Sequence, residues 1–356
     1  MTSHHSTTSS ALPRVVFGPR EIAGTFWGYR CALRALGATA DVVVLERNPF
    51  GYAYDRCVPL PRLRPLAYAR RLVLLLRLAR EYDVFHLCFG KSICYPPLDV
   101  RLLRRWGKKI VMDFRGSEVR CNDGQIAEDL PACHCTLRGF RCNRREKERR
   151  LRFWQQHADA IFCGIAATNL LHLLGVPYQP LVVPCDLDYW KPFPSNLRDE
   201  GKGELLVVHA PSRRMVKGTE HVIKAVERLR AEGYPARLQL LEGVPNHEVR
   251  EWVNAADIVV DQLLLGWHGV FAVESMALAK PTVCNLHPLF QARAPYAADI
   301  PLVNASPATI DEVLKRLVTD EPWRRALSER SRAYVEKVHD ARKVAERLIA
   351  VYRGEG

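Results

Sequence analysis

DIVVDQLLLGWHGVFAVESMALAKPTVC, residues Asp257–Cys284, decides the fold. It opens on a short apolar run, Ile258–Val260, and passes through a loop holding Gly266 and Gly269. A helix-compatible run, Val270–Ala279, follows; Pro281 then stops the helix before a second β-prone run. Strand, glycine turn, helix and strand make a βαβ unit, and such a unit implies a parallel sheet. The glycine turn sets the helix N-terminus at the strand ends, where free N–H groups favour an anion. Glu274 lies one turn into that helix among apolar neighbours, a place for a carboxylate with work to do. An anion seat beside a carboxylate suits a nucleotide-sugar: phosphates on the amides around His268, Gly269, Val270 and Phe271, sugar hydroxyls on the acid.

The segment GWHGVFAVESMALAKPTV resembles the EGFGLxxxEAMAxGxPV signature of GT-B glycosyltransferases, most closely the retaining enzymes of family 4. Gly269, Glu274, Met276, Ala277 and Pro281 fall at the family spacing. Gly266 departs from it, standing where the family carries the first of two glutamates eight positions apart. The resemblance implies an α/β chain of GT-B architecture, two Rossmann-like domains facing a central cleft. The implied activity is transfer of a sugar from a nucleotide-diphosphate sugar, with no metal required for catalysis. It is strongest over residues 204–284 and weak before 160.

At 356 residues, with 48% hydrophobic and 26% charged residues, the chain is ordinary for a globular protein and long enough for two cores. The absence of a long apolar span argues against a membrane-crossing helix. MTSHHSTTSS, within a tail (1–13) expected to be disordered, lacks the apolar run of a signal peptide. Eleven cysteines without such a signal point to reduced thiols and a cytoplasmic location, with peripheral membrane contact left open. The net charge of +13 is uneven: residues 1–180 hold 28 Lys and Arg against 15 Asp and Glu, while 181–356 hold 24 of each. The basic half fits an anionic or lipid-linked acceptor or a phospholipid surface; nucleic acid is the weaker reading, and a basic surface serving solubility alone explains the same charge.

The N-terminal domain is expected over 14–190 and begins with strand, glycine loop and helix: Arg14–Phe17, then Gly18, Gly24 and Gly28, then Tyr29–Leu36. By the resemblance, Gly24 and Thr25 belong to the loop that closes over donor and acceptor. Leu63–Arg80, LRPLAYARRLVLLLRLAR, reads as a basic helix packed on the sheet with arginines at its rim; an interfacial membrane helix gives the same pattern. Val84–Cys88 and Lys109–Phe114 read as strands. The family often carries histidines at the positions of Cys88 and Arg115, so His86 and Arg115 stand as the catalytic candidates. His86 as a buried, hydrogen-bonded strand residue explains its place equally well.

Residues 120–152 interrupt the βα rhythm with Cys121, Cys133, His134, Cys135, Cys142 and a basic run. The spacing is unlike the usual paired zinc knuckles, yet four cysteines in so short a stretch admit a structural zinc on Cys121, Cys133, Cys135 and Cys142, with His134 a substitute ligand. Free thiols are the other reading. After a Pro- and Asp-rich linker, the donor domain is expected over 204–338 and a crossing-back helix over 339–356. Arg213, Arg214, Lys217 and Gly218 form a cationic strand-to-helix junction resembling the family's GRLxxxKG element, suited to a diphosphate. Gly243 falls where relatives form the nucleobase pocket. Two other readings stand beside sugar transfer: a sugar-nucleotide epimerase and a non-catalytic binding protein.

Overall fold

The computed structural model describes residues 11–355, except 49, 122–132, 134, 136–138, 140, 141, 196 and 198–202. The first sheet holds β1 (Arg14–Gly18), β2 (Thr39–Val44), β3 (Arg56–Cys57), β4 (Val84–Cys88), β5 (Lys109–Phe114), β6 (Ala160–Cys163) and β7 (Gln179–Pro180). Their order is β3-β2-β1-β4-β5-β6-β7 and every pairing is parallel. Among them run α1 (Thr25–Ala35), α2 (Arg64–Glu81), α3 (Pro96–Arg105), α4 (Arg144–His157) and α5 (Asn169–Leu174). Buried β4, VFHLC, shows no polar alternation, as a strand covered on both faces requires.

The second sheet holds β8 (Leu205–His209), β9 (Ala236–Leu240), β10 (Ile258–Val260), β11 (Thr282–Cys284) and β12 (Val303–Asn304), in the order β12-β11-β10-β8-β9, again parallel throughout. Its helices are α6 (Arg214–Lys217), α7 (Thr219–Ala231), α8 (Asn246–Ala255), α9 (Val270–Ala277), α10 (Pro288–Arg293), α11 (Ile310–Thr319) and α12 (Glu321–Val338). The last helix, α13 (Ala341–Arg353), packs on the first sheet: Val344, Ala345, Leu348 and Tyr352 share a core with Val15, Phe17 and Leu33.

Strand order fixes where a ligand belongs. In the first sheet it reverses between β1 and β4, and in the second between β8 and β10. In open parallel sheets, crevices for ligands lie beyond the carboxyl ends of the strands at such reversals. Gly18, which ends β1, admits no side chain, because a Cβ there would stand 2.5 Å from the Val43 carbonyl oxygen. No helix is long and apolar enough among the described residues to cross a membrane.

Differences from the sequence reading lie at element edges. Helix α1 starts at Thr25 rather than Tyr29, because Glu21 accepts hydrogen bonds from the Trp27 and Phe26 amides (2.8 and 3.3 Å) and caps it. Strand β7 is only Gln179–Pro180, since proline has no N–H to continue a ladder. Helix α2 packs as expected through Leu74, Leu75, Leu78 and Ala79, but Leu63, Leu66, Tyr68 and Val73 remain exposed.

Candidate functional site

A cavity of about 470 Å³ opens at both strand-order reversals, with the carboxyl ends of the two sheets facing each other across it. The first sheet contributes Arg20, Glu21, Ile22 and Ala23 after β1, Glu46, Arg47, Asn48 and Phe50 after β2, Tyr52, and Phe89 after β4. The second contributes Ala210, Pro211 and Ser212 after β8, then Lys217, Leu241, Gly243 and Val244. Asn246 and Val249 of α8 and Val270, Phe271 and Glu274 of α9 complete it. Among the described residues three non-glycines take a positive φ, and two of them, Ala23 (55°) and Phe89 (62°), line this cavity. Such backbone costs energy and is held where the surroundings over-determine it, most often at functional sites.

Of the residues singled out from sequence, Lys217, Gly243, Val270, Phe271 and Glu274 meet here, although they lie on two helices and a loop well apart in the chain. Burial pushes the Glu274 carboxyl up to about 8, the Asp261 charge adds to it, and a hydrogen bond with Asn246 opposes both. Burial thus favours the protonated carboxyl, which can donate as well as accept. Burial likewise raises Glu21 to about 7, against the Arg115 charge and the amides of Trp27 and Phe26. Between them, Tyr52 has its hydroxyl proton held by burial and by the charges of Glu274 and Glu21. Two poised carboxyls and a phenol facing one cavity is a constellation for handling hydroxyl groups.

The seat expected at Gly269 is differently built. Asp261, fully buried at the end of β10, accepts from the Gly269 amide (2.7 Å) and pairs with Lys217 Nζ (2.8 Å). A carboxylate of the chain thus holds the first amide of α9, leaving Val270 and Phe271 as the helix N-terminal residues that line the cavity. Lys217 retains an exposed fraction of 15% and faces the same cavity. Gly266 takes φ 72°, a left-handed conformation that glycine alone adopts freely, which explains why no glutamate stands there.

The other candidates lie outside the lining. Arg214 forks onto Glu242 (2.8 and 2.6 Å) and also reaches Glu220, so it is committed at the surface; Arg213 is exposed at the start of α6. Gly218 ends that helix in a left-handed conformation. His268 is buried beside the Gly269 carbonyl (3.3 Å) and burial keeps its ring neutral. Gly24 caps α1 in a left-handed conformation against Tyr52, and Thr25 is buried behind it.

His86 and Arg115 are not brought to the cavity. His86 is fully buried on β4, and its Nδ1 shares a 2.7 Å hydrogen bond with the Tyr352 hydroxyl of α13. Burial, then the Arg115 charge, lowers its proton affinity, so it stays neutral. The Arg115 guanidinium pairs with buried Asp113 and lies over the Phe26 ring, 4.9 Å from its centroid. Both residues fasten α1 and α13 to the first sheet. Cys88 is buried there too, near the Arg20 carbonyl.

Sequence reasoning passed over Glu21, Tyr52, Asp261, Arg20 and Arg47. Glu21 had one signal: an acid three residues ahead of a glycine at a helix start. Arg20 pairs with Glu46 at the cavity rim, and Arg47 lines the same wall, so cations approach from the first sheet as well.

The predicted cysteine cluster is partly assembled. Cys133, Cys135 and Cys142 bring their sulfurs within 4.8 Å of one another, and Cys121 Sγ lies 3.3 Å from Cys142 Sγ. His134 and the N-terminal ten residues lie outside the described residues.

No protein-family model matches this sequence, and no curated protein does. Solved structures do match over the full length. Anabaena HepE, determined with UDP and glucose, is 12% identical, with 94% of this chain and 98% of HepE covered at a TM-score of 0.63. The catalytic domain of Arabidopsis thaliana starch synthase IV, bound to ADP and acarbose, is 10% identical over 97% of this chain and 99% of its own, at 0.69. A putative UDP-N-acetylglucosamine 2-epimerase from Listeria monocytogenes is 13% identical over 97% and 96%, at 0.57. The likeness is one of fold, and the fold is GT-B: two Rossmann-like units with a cleft between their strand ends.

Proposed function

We propose that the chain is a glycosyltransferase moving a sugar from a nucleotide-diphosphate sugar to an acceptor, with retention of configuration as the family 4 resemblance implies. One observation carries this reading. Lys217 and Glu274, placed by the family spacing, meet in a cavity at the strand-order reversals of both sheets, of a volume that suits a small ligand. The nucleobase rests against Gly243 and Val244, and the ribose hydroxyls bond Glu274. The diphosphate meets Lys217 and the Val270–Phe271 end of α9, with Arg20 and Arg47 facing it from the first sheet. Charge that develops on the leaving diphosphate is stabilised by these fixed cations and amides, so that catalysis needs no metal.

The UDP and ADP complexes of HepE and starch synthase IV support the donor class by analogy of fold. The acceptor is anionic or lipid-linked. Five of the exposed large apolar side chains, Leu63, Leu66, Tyr68, Val73 and Leu76, sit on or beside α2 among its arginines, which supports docking of this cytoplasmic protein on an anionic membrane surface. A thermal-shift panel of UDP-, GDP-, dTDP- and ADP-sugars, followed by product analysis with and without acceptor, tests the reading. A stabilising donor and acceptor-dependent sugar transfer are expected. Epimerised sugar-nucleotide formed without acceptor would replace transfer by epimerisation, and no stabilisation by any nucleotide would leave a binding protein.

A further inference from the structure

The four cysteines beyond β5 serve no part of the cavity, and their arrangement has its own chemistry. Three sulfurs, those of Cys133, Cys135 and Cys142, fall within 4.8 Å of one another, and the fourth, Cys121 Sγ, is 3.3 Å from Cys142 Sγ. Around a tetrahedral ion with metal–sulfur bonds of about 2.3 Å, sulfurs stand about 3.8 Å apart. The 4.8 Å span that holds Cys133, Cys135 and Cys142 admits that spacing, and Cys121 joins the group through Cys142, at a contact shorter than it. The residues come from three places: the end of the segment after β5, the insertion, and the approach to α4.

A second, independent observation concerns charge. Lys147 of α4 is 6% exposed and directs its ammonium at this cluster, 3.1 Å from Cys142 Sγ and 3.4 Å from Cys135 Sγ. Among the described residues it also donates to the Arg120 carbonyl (2.5 Å), and no carboxylate lies within 4.0 Å. The Arg120 guanidinium is also buried, and it donates to the Ala166 carbonyl (3.1 Å). A buried ammonium facing neutral thiols is an uncompensated charge, which is costly. Four thiolates around a divalent ion carry a net charge of minus two, of which Lys147 offsets one; buried Arg120 lies near Cys133 and Cys135 but also faces Glu118.

We propose that Cys121, Cys133, Cys135 and Cys142 bind one structural zinc ion as thiolates, with Lys147 donating N–H bonds to the sulfurs of Cys135 and Cys142. Binding replaces four S–H protons, released to solvent, by four zinc–sulfur bonds, with no change of oxidation state. Four protein ligands leave no open position, so the ion is structural. Its task is to tie Cys121, Cys133 and Cys135 to Cys142 at the approach to α4. That helix in turn carries Arg150, which donates to the Glu118 carbonyl (2.6 Å) and fits beneath Gly90, where a Cβ would stand 2.3 Å from Arg150 Cδ. The zinc thereby steadies the segments after β5 and β4, next to the cavity wall at Phe89.

The test uses the full chain, produced with zinc in the medium and purified under a thiol reductant. Elemental analysis is expected to give about one zinc per chain. The double variant Cys135→Ser, Cys142→Ser should lower that at least tenfold, while Cys94→Ser, a cysteine of another region, should leave it unchanged. If the double variant does not fold, cobalt substitution of the unmodified chain decides: tetrahedral thiolate ligation gives intense visible bands with sulfur-to-metal charge transfer. Four outcomes overturn the proposal: no metal, iron in place of zinc, zinc retained by the double variant (as binding at His4 and His5 would give), or a Cys121–Cys142 disulfide in the reductant-free protein.

Discussion

Replacing Glu274 by Gln tests the cavity's electrostatics without disturbing its shape. In the folded chain the carboxyl is pushed from the ordinary 4.5 up to about 8, chiefly by burial. A raised acid binds its proton more tightly when folded, so its contribution is fully present below 4.5 and is lost as pH rises through about 8. At about 1.4 kcal/mol per pH unit, the interval sets a ceiling of about 5 kcal/mol on that loss. Glu274 faces an open cavity, and solvent screening brings the expected value to about 1–2 kcal/mol. Gln cannot ionise and escapes the loss. Glu274→Gln should therefore match the parent near pH 4 and exceed it increasingly above, by roughly 3 °C in Tm at pH 8.5. Differential scanning fluorimetry across pH 4–9 measures this. A Tm difference that is flat with pH would refute the argument that Glu274 is desolvated in the folded state. The same variant should bind nucleoside diphosphates more weakly at pH 8.5, because an amide is a poorer partner for two ribose hydroxyls.

Lys217→Ala removes a charge-assisted contact with the diphosphate and should weaken binding of the nucleotide found by the panel by about 10–100-fold, read by calorimetry; parental affinity would remove Lys217 from the donor site. It should also lower Tm, since Asp261 loses its ion-pair partner. Tyr352→Phe leaves His86 Nδ1 without its partner and should destabilise the chain by about 1–3 kcal/mol with unchanged nucleotide affinity; a loss of turnover at equal stability would instead return His86 to the chemistry. Leu63→Glu with Leu66→Glu, both exposed, should preserve Tm and reduce co-sedimentation with phosphatidylglycerol vesicles by several-fold. Equal sedimentation would remove α2 from the acceptor-side surface.

The frame of the fold was legible because buried parallel strands are plain apolar runs. Val84–Cys88 and Lys109–Phe114 are identical in sequence reading and structure. Two-residue β3 was not, since Arg56–Cys57 carries no period at all. The donor wall could be read because its motif lies within one βαβ unit, where spacing alone sets geometry. The opposing wall could not: Glu21 and Arg20 reach Lys217 and Glu274 only when two sheets meet across a cleft. His86 and Arg115 show the converse. Their positions on β4 and β5 suit a catalytic role, but α13, returning from the far end of the chain, puts Tyr352 on His86.

Asp261 changes what the opening stretch means. A helix N-terminus with a basic residue nearby reads as a vacancy for phosphate, yet here one carboxylate takes both the Gly269 amide and the Lys217 ammonium. A diphosphate approaching that point meets an anion already in place. Two consequences follow from charge alone. The incoming phosphate must compete for Lys217 rather than find it free, so the ion pair sets part of the donor's affinity. The repulsion from Asp261 must also be offset by positive charge from elsewhere, and the facing wall offers Arg47 together with Arg20, which is itself paired with Glu46. On the proposed function, donor binding then draws on both sheets.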